Sequence, residues 1–224
     1  LWRDLNKQVE DVFIDALGQL NKSNDLTQKI LAFILVPAGH YGAKKDVLNM
    51  MARPDFHTPY THSYCTHELH NLEYDPVIKR LYENNLFNKL EDKVKVIFAP
   101  CYLNGHDGIF NMPYYDLLIG MDLSVFASYY EPWGYTPMES VAFKIPTITT
   151  SLAGFGLWID HHNKTHESVV VIPRNDNNFH EVTDGVASFI QKFTTLNTDE
   201  RKAYSTNAKN ISLTCLWQNF ISYY

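Results

Sequence analysis

The chain has 224 residues, 45 % hydrophobic and 20 % charged, enough to bury a sizeable core in one large domain or a domain with appendages. A net charge of −6, with no Lys/Arg cluster on any periodic segment, argues against nucleic acid or an anionic membrane as partner. No apolar run reaches the roughly eighteen residues a membrane-spanning helix needs, and the widely spaced Cys65, Cys101 and Cys215 suit a reduced, cytoplasmic setting.

The opening LWRDLNKQ has neither an initiator methionine nor a signal-peptide apolar region, and reads as the cut end of a longer protein. Residues 10–20 carry apolar side chains at 12, 13, 16, 17 and 20, the spacing of an amphipathic helix. KILAFILVP (29–37) is a continuous apolar run ended by proline, as expected of a strand buried on both faces. Helices are predicted over 42–52 and 75–87, the second with Asp75 as N-cap and Pro76 at its first position. KVKVIFAP (93–100) is a second strand, 113–121 a short helix and 122–128 a third strand. Two more strands follow at 145–151 and 168–173, and from about 178 the pattern is helical to the end. Residues 53–72 have no periodicity and read as a long loop or insertion. Strands separated by helices predict an α/β fold, a Rossmann-like parallel sheet with helices on both faces. The chain accordingly divides into a body over 1–177 and a helical C-terminal tail over 178–224.

In open α/β sheets ligands bind beyond the carboxyl ends of the strands, so the loops 37–42, 100–112, 129–136 and 151–156 are the ones to search. The third opens the stretch YYEPWGYTPMESVAF, with Glu131 and Glu139 eight positions apart. A helix start accounts for part of it: Thr136 as N-cap, Pro137 at the first helical position, and Glu139 reaching back to the amide of Thr136. Glu131, Trp133, Gly134 and Tyr135 are left over. Free amides at a helix start favour an anion such as a diphosphate, and Gly134 lets the backbone approach a ligand closely. An ionised carboxylate at 131 suits sugar hydroxyls and one at 139 a pair of ribose hydroxyls, so capping and ribose binding are competing uses of Glu139.

EPWGYTPMESVAFKIPTITTSLAGFG (131–156) resembles the signature of the glycogen/starch synthase group of retaining glycosyltransferases, of the animal, fungal and Bacteroidetes type. The similarity extends to 95–111, 114–130 and 216–224. It implies the C-terminal, nucleotide-binding lobe of a GT-B fold, in an enzyme that moves glucose from UDP-glucose or ADP-glucose to an α-1,4-glucan. On that resemblance Glu131 contacts the donor sugar near the reaction centre, and the backbone of Trp133, Gly134 and Tyr135 lines the sugar and diphosphate. Thr136 meets a phosphate, Glu139 holds the ribose, and Gly154, Phe155 and Gly156 form the neighbouring loop. The family's basic pair for the departing diphosphate maps only onto Arg3 and Lys7, where the pattern departs: Lys7 is followed by Gln8 rather than glycine. The implied partners are a nucleotide sugar, an α-glucan and an N-terminal lobe that the chain does not contain, with no cofactor beyond the substrate.

Other readings are weaker. His57, His62, His67 and His70 crowd one stretch, but their spacing fits no zinc pattern and no metal is expected. His161 and His162 read as surface residues. Asn104–Gly108 is a turn by composition, placed after a strand where a nucleobase could lie. The aromatic segment 216–224 reads as packing. Two alternatives stand beside the enzyme: a non-catalytic module that binds a nucleotide sugar or glucan, and another retaining GT-B enzyme. A phosphorylase among the latter needs a cofactor lysine motif that is not found here.

Overall fold

The computed structural model describes residues 9–53, 64–162 and 167–221. Their contacts form two compact units, one of Ile14–Leu117 and one of the residues from Leu118 onward together with those up to Phe13. Among the described residues no helix is long and apolar enough to cross a membrane.

The first unit is built on a parallel pair, β1 (Ile30–Ile34) and β4 (Val94–Phe98), in register from Ile30↔Val94 to Ile34↔Phe98. Helix α1 (Val9–Lys22) and helix α3 (Pro76–Glu83) are tied by Arg80, whose Nε and Nη2 donate to the two carboxylate oxygens of Asp15. Asn84 Nδ2 donates to the same carboxylate at 2.7 Å. Gly18 leaves room in α1 for the Asn84 side chain, since a Cβ there would stand 2.3 Å from Asn84 Oδ1 and 2.9 Å from its Cβ. Asp75 caps α3 as predicted, accepting from the amides of Val77 and Ile78, with Pro76 at the first helical position. Buried Asn88 pairs with the backbone of β4 as a strand would, its Oδ1 accepting from Val96 N and its Nδ2 donating to Val96 O, both at 2.8 Å.

The stretch predicted as a featureless loop contains β3 (His67–Leu69), which pairs antiparallel with β2 (His40–Ala43). Helix α2 (Lys45–Met51) follows β2 directly. Neither strand alternates apolar and polar residues, so the period-two signal is missing. Side-chain bonds support the ribbon instead. The ring of fully buried His67 lies 2.8 Å from Thr66 Oγ1 and 2.9 Å from the Asp107 carbonyl, and packs 4.6 Å from the ring of His40. Desolvation, and then the neighbouring His67 and His70, pull the pKa of His40 below the usual histidine value. These contacts account for His67 as a structural residue; His57 and His62 lie outside the described residues. Helix α4 (Tyr114–Leu118) closes the unit.

The second unit holds a parallel triplet: β5 (Ser124–Val125), β6 (Thr147–Thr150) and β7 (Val169–Ile172), with β6 in the centre and all four of its residues buried. All five predicted strands are therefore present, and every pairing among them is parallel. Helices α5 (Tyr135–Ala142), α6 (Gly154–His162), α7 (Phe179–Thr195), α8 (Thr198–Thr214) and α9 (Trp217–Phe220) complete the unit. Its core joins Val141, Phe155, Ile159 and Val169 to Ala208, Ile211 and Cys215, so α8 covers α5 and α6. A capping box starts α8: Asn197 accepts from Glu200 N, and Glu200 accepts from Asn197 N at 2.7 Å. Burial pushes the thiols of Cys101 and Cys215 up to about 11, which makes them packing groups rather than nucleophiles.

Helix α5 ends before Pro146, as predicted, by a particular device. Ile145 N donates to Ser140 O and Lys144 N to Val141 O, the bond pair of a Schellman turn, with Lys144 in the left-handed region at φ 69°. Glycine is the usual occupant, since a side chain there costs roughly 1–2 kcal/mol. Lys144 is exposed, so replacing it sacrifices no packing. Lys144→Gly is expected to stabilise the fold by up to about 1 kcal/mol, seen as a rise in melting temperature of a few degrees. A fall in melting temperature contradicts this account of the turn.

Candidate active site

The segment leaving β5 is held at several points by the carboxyl end of β6 and the residues that follow it. Phe126 N donates to Ile148 O at 2.8 Å, and Thr150 Oγ1 donates to Ser128 O at 2.5 Å. Glu131 N donates to Leu152 O at 3.1 Å, Gly154 N to Glu131 O at 3.0 Å, and Phe155 N to Trp133 O at 2.6 Å. Beyond the formal strands, Glu131 and Ala153 still pair in parallel. A loop whose backbone is tied at these points presents its side chains from a fixed frame.

Two glycines make this lattice possible. A Cβ on Gly154 would stand 2.3 Å from Pro132 O and 3.1 Å from Trp133 Cα, and one on Gly156 would stand 2.1 Å from Thr150 O. These obstacles are backbone atoms that cannot swing aside. Gly154, Phe155 and Gly156 are not a loop, as the resemblance implied, but the first turn of α6. A helix can begin there because the carbonyls of Glu131 and Trp133 accept from its first two amides. The ring of Phe155 is fully buried in the core.

Trp133 belongs to that core as well. Its indole meets Phe155 edge-on at 6.3 Å and Phe220 at 5.5 Å, and Trp158 adds a further edge contact to Phe220 at 5.8 Å. The tryptophan anchors the loop to the core. Part of the C-terminal aromatic segment packs here, as predicted. His162 stacks on Trp158 at 4.8 Å, with its Nδ1 2.9 Å from the carbonyl of Trp158.

The helix start differs from the prediction. Helix α5 begins at Tyr135, and its N-cap is Gly134 with φ 97° and ψ 73°, not Thr136. The left-handed glycine turns the chain into the helix early, a conformation that a side chain resists. Thr136 is then the second helical residue, Pro137 the third and Glu139 the fifth, two positions past the one a capping box uses, and Thr136 is no longer the N-cap that such a box needs. Pro137 is still tolerated, since the third amide has no partner inside a helix. Among the described residues no group accepts from the amides of Tyr135 and Thr136. Tyr135 and Thr136 are exposed, and Glu131 and Glu139 are half-buried. The Cγ of Glu131 lies 3.4 Å from the point where a Cβ on Gly134 would stand, so its stem runs alongside the start of α5. Glu131, Gly134, Tyr135 and Thr136 thus meet at one end of one helix, with Glu139 a turn further along it. Arg3 and Lys7 lie outside the described residues.

Sequence reasoning passed over Arg174, which follows β7 and reaches the same loop. Its Nη1 donates to the carbonyl of Ala127, and its guanidinium lies 5.2 Å from the ring centre of Tyr129. The available signal was a lone arginine directly after the apolar run VVVIP.

In the first unit, a cavity of about 550 Å³ opens beyond the carboxyl ends of β1 and β4, lined by Pro37, Gly39, His70, Tyr74 and Tyr102 among others. The neighbouring Asn104–Gly108 stretch is a turn, as predicted. Asn104 Oδ1 accepts from His106 N at 3.0 Å, and Asp107 Oδ1 accepts from the amides of Ile109 and Phe110.

Residues 44–224 match the family model for glycogen synthase. A glycogen [starch] synthase of Caenorhabditis elegans is 36 % identical over 162 residues, covering 71 % of this chain and 24 % of that protein. The liver glycogen [starch] synthase of Rattus norvegicus is 31 % identical over 185 residues, covering 80 % of this chain and 26 % of that protein. Isoform 2 from Saccharomyces cerevisiae is 30 % identical over 187 residues, 79 % of this chain and 24 % of that protein. The chain therefore spans about a quarter of the length of these relatives. The crystal structure of WaaG, a glycosyltransferase involved in lipopolysaccharide biosynthesis, shares 16 % identity at a TM-score of 0.48 over 94 % of this chain and 40 % of that one, a likeness too distant to carry weight. The family match covers four-fifths of the chain and includes the whole Glu131–Gly156 segment: the chain belongs to the glycogen synthase family.

Proposed function

We propose that this chain is the nucleotide-sugar-binding, C-terminal lobe of a GT-B retaining glycosyltransferase, a glycogen synthase that transfers glucose from UDP-glucose or ADP-glucose to an α-1,4-glucan. The observation that supports it is the start of α5, where two amides without acceptors among the described residues and a left-handed glycine stand beside Glu131, in a chain of the glycogen synthase family. The amides of Tyr135 and Thr136 and the positive end of the helix dipole suit a diphosphate. Glu131 serves the glucose side and Glu139 the ribose. Gly154 and Gly156 serve the site by letting the backbone of α6 close on the Glu131 loop. Residues 1–177 form the lobe, with Arg3 and Lys7 as its diphosphate-binding pair, and 178–224 the helices that cover it. An N-terminal lobe supplies the acceptor surface, and the setting is cytoplasmic.

Transfer with retention passes through an oxocarbenium-like state, so the departing diphosphate and the developing positive charge are what the site must stabilise. The test is transfer of labelled glucose from each nucleotide sugar to glycogen by the full-length protein, with the anomeric configuration of the new linkage determined. Incorporation as an α-linkage supports the reading; no transfer from either donor overturns it. Glu139→Ala is expected to weaken donor binding about 10- to 100-fold, the worth of a hydrogen bond to a charged group, with a much smaller effect on the rate at saturation. Unchanged donor affinity removes Glu139 from the ribose site.

A further inference from the structure

Among the described residues, Arg174 is a buried cation without a counter-ion. The residue is only 5 % exposed, and among the described residues no carboxylate pairs with it. Burial lowers its pKa from the usual arginine value. Taking a guanidinium out of water costs several kcal/mol, by the order of such penalties, and an ion pair is the usual compensation. Here the compensation is different. Nη1 donates to the carbonyl of Ala127, the guanidinium lies 5.2 Å from the ring centre of Tyr129, and among the described residues Nη2 has no acceptor. The backbone is pinned at the same point, since Arg174 N donates to Ser151 Oγ at 2.9 Å and Ser151 N to Ile172 O at 3.0 Å. Tyr129 in turn donates its hydroxyl proton to Asp176. Everything the guanidinium touches lies within four residues of Glu131, on the path by which the chain leaves β5.

We propose that Arg174 is a positioning residue: it clamps the β5 exit at Ala127 and Tyr129, with Asp176 completing the clamp, and so sets where the Glu131 carboxylate stands. The proposal rests on the reading of Glu131 given above. It explains why a buried cation is kept where an apolar side chain would fold at lower cost. Only a planar guanidinium can hold a carbonyl edge-on and cover an aromatic face together; a lysine ammonium, a point charge on a flexible stem, does one or the other.

The test uses the full-length protein, four single variants, R174K, Y129F, D176N and E131Q, and the R174K/E131Q double variant, with kcat, donor KM, nucleotide Kd and melting temperature measured for each. R174K is expected to lower kcat about 10- to 100-fold, the effect of a misplacement of about 1 Å, while nucleotide Kd changes little. The R174K/E131Q double variant is expected to be no slower than E131Q alone, because the two residues act as one unit. A merely structural role predicts the opposite pattern, a lower melting temperature with kcat per folded molecule intact. Wild-type kcat in R174K, or multiplicative losses in the double variant, overturn the proposal. Should R174K fail to fold, Y129F and D176N carry the test: Y129F removes the hydroxyl that makes the bond, and D176N replaces its charged acceptor by a neutral one, at a half-buried and an exposed residue. A several-fold fall in kcat at unchanged Kd supports the clamp, and unchanged kcat in both overturns it. An inactive E131Q beside a fully active R174K refutes the clamp alone, whereas wild-type turnover in E131Q refutes the role of Glu131 and the clamp with it.

Discussion

Replacing Glu131 by glutamine in the full-length protein is expected to reduce glucose transfer by on the order of 10³-fold, while nucleotide affinity stays close to wild type. Glutamine keeps the size and the hydrogen-bonding reach of the side chain and removes the charge. The backbone of residue 131 is held on both sides, by Leu152 O and by Gly154 N, so the substitution cannot relax by moving the loop. What is lost is a negative charge beside a sugar that gains positive character in the transition state. Such a charge matters more there than in the ground state, so the loss falls on kcat rather than on binding. Steady-state rates together with a nucleotide Kd check both halves. Near-wild-type turnover removes Glu131 from the reaction.

The second large effect is expected at Gly154, which never touches the donor in this account. Gly154→Ala places a methyl group 2.3 Å from Pro132 O and 3.1 Å from Trp133 Cα. Side chains yield to such intrusions more readily than backbone, and this backbone is bonded to residue 154 itself. Overpacking of this kind costs roughly 1–3 kcal/mol, and a shift of about 1 Å at a catalytic loop costs on the order of 10²-fold in rate. Gly154→Ala is therefore expected to lower the melting temperature and to cut turnover about 100-fold. Trp133 will shift too, because its carbonyl accepts from Phe155 N and its ring leans on Phe155 and Phe220. A fully active and fully stable variant contradicts the close packing on which the site is built.

How much of this was legible beforehand follows from the range of the interactions concerned. Four of the five strands were readable because they are short runs rich in apolar or β-branched residues, ILAFI, VKVIF, TITT and VVVI, in segments bounded by turn residues. The cap at Asp75 was readable because its partners, Val77 and Ile78, lie two and three residues away. The start of α5 was misplaced because Gly134 is held left-handed by a loop whose geometry depends on residues 152–155. Local pattern favoured Thr136, since threonine before proline with a glutamate following is a helix start anywhere else. Gly154 and Gly156 read as loop residues because glycine usually breaks helices. They begin α6 because two backbones meet there, a fact about tertiary structure. The ribbon of β2 and β3 carried no apolar alternation, since one of its buried residues is a histidine satisfied by Thr66 and by the carbonyl of Asp107. Arg174 was invisible for the same reason: its partner Ala127 is 47 residues away. The two glutamates were found by motif and resemblance, and the structure supplies the frame that holds the first of them.

The central claim is that the end of α5 receives a nucleotide sugar. Calorimetric titration of the full-length protein with UDP, ADP and their glucose conjugates tests it most directly. The account predicts saturable binding of one nucleotide and its sugar conjugate, weakened by Glu139→Ala. Absence of binding by all four, at millimolar concentration, contradicts it.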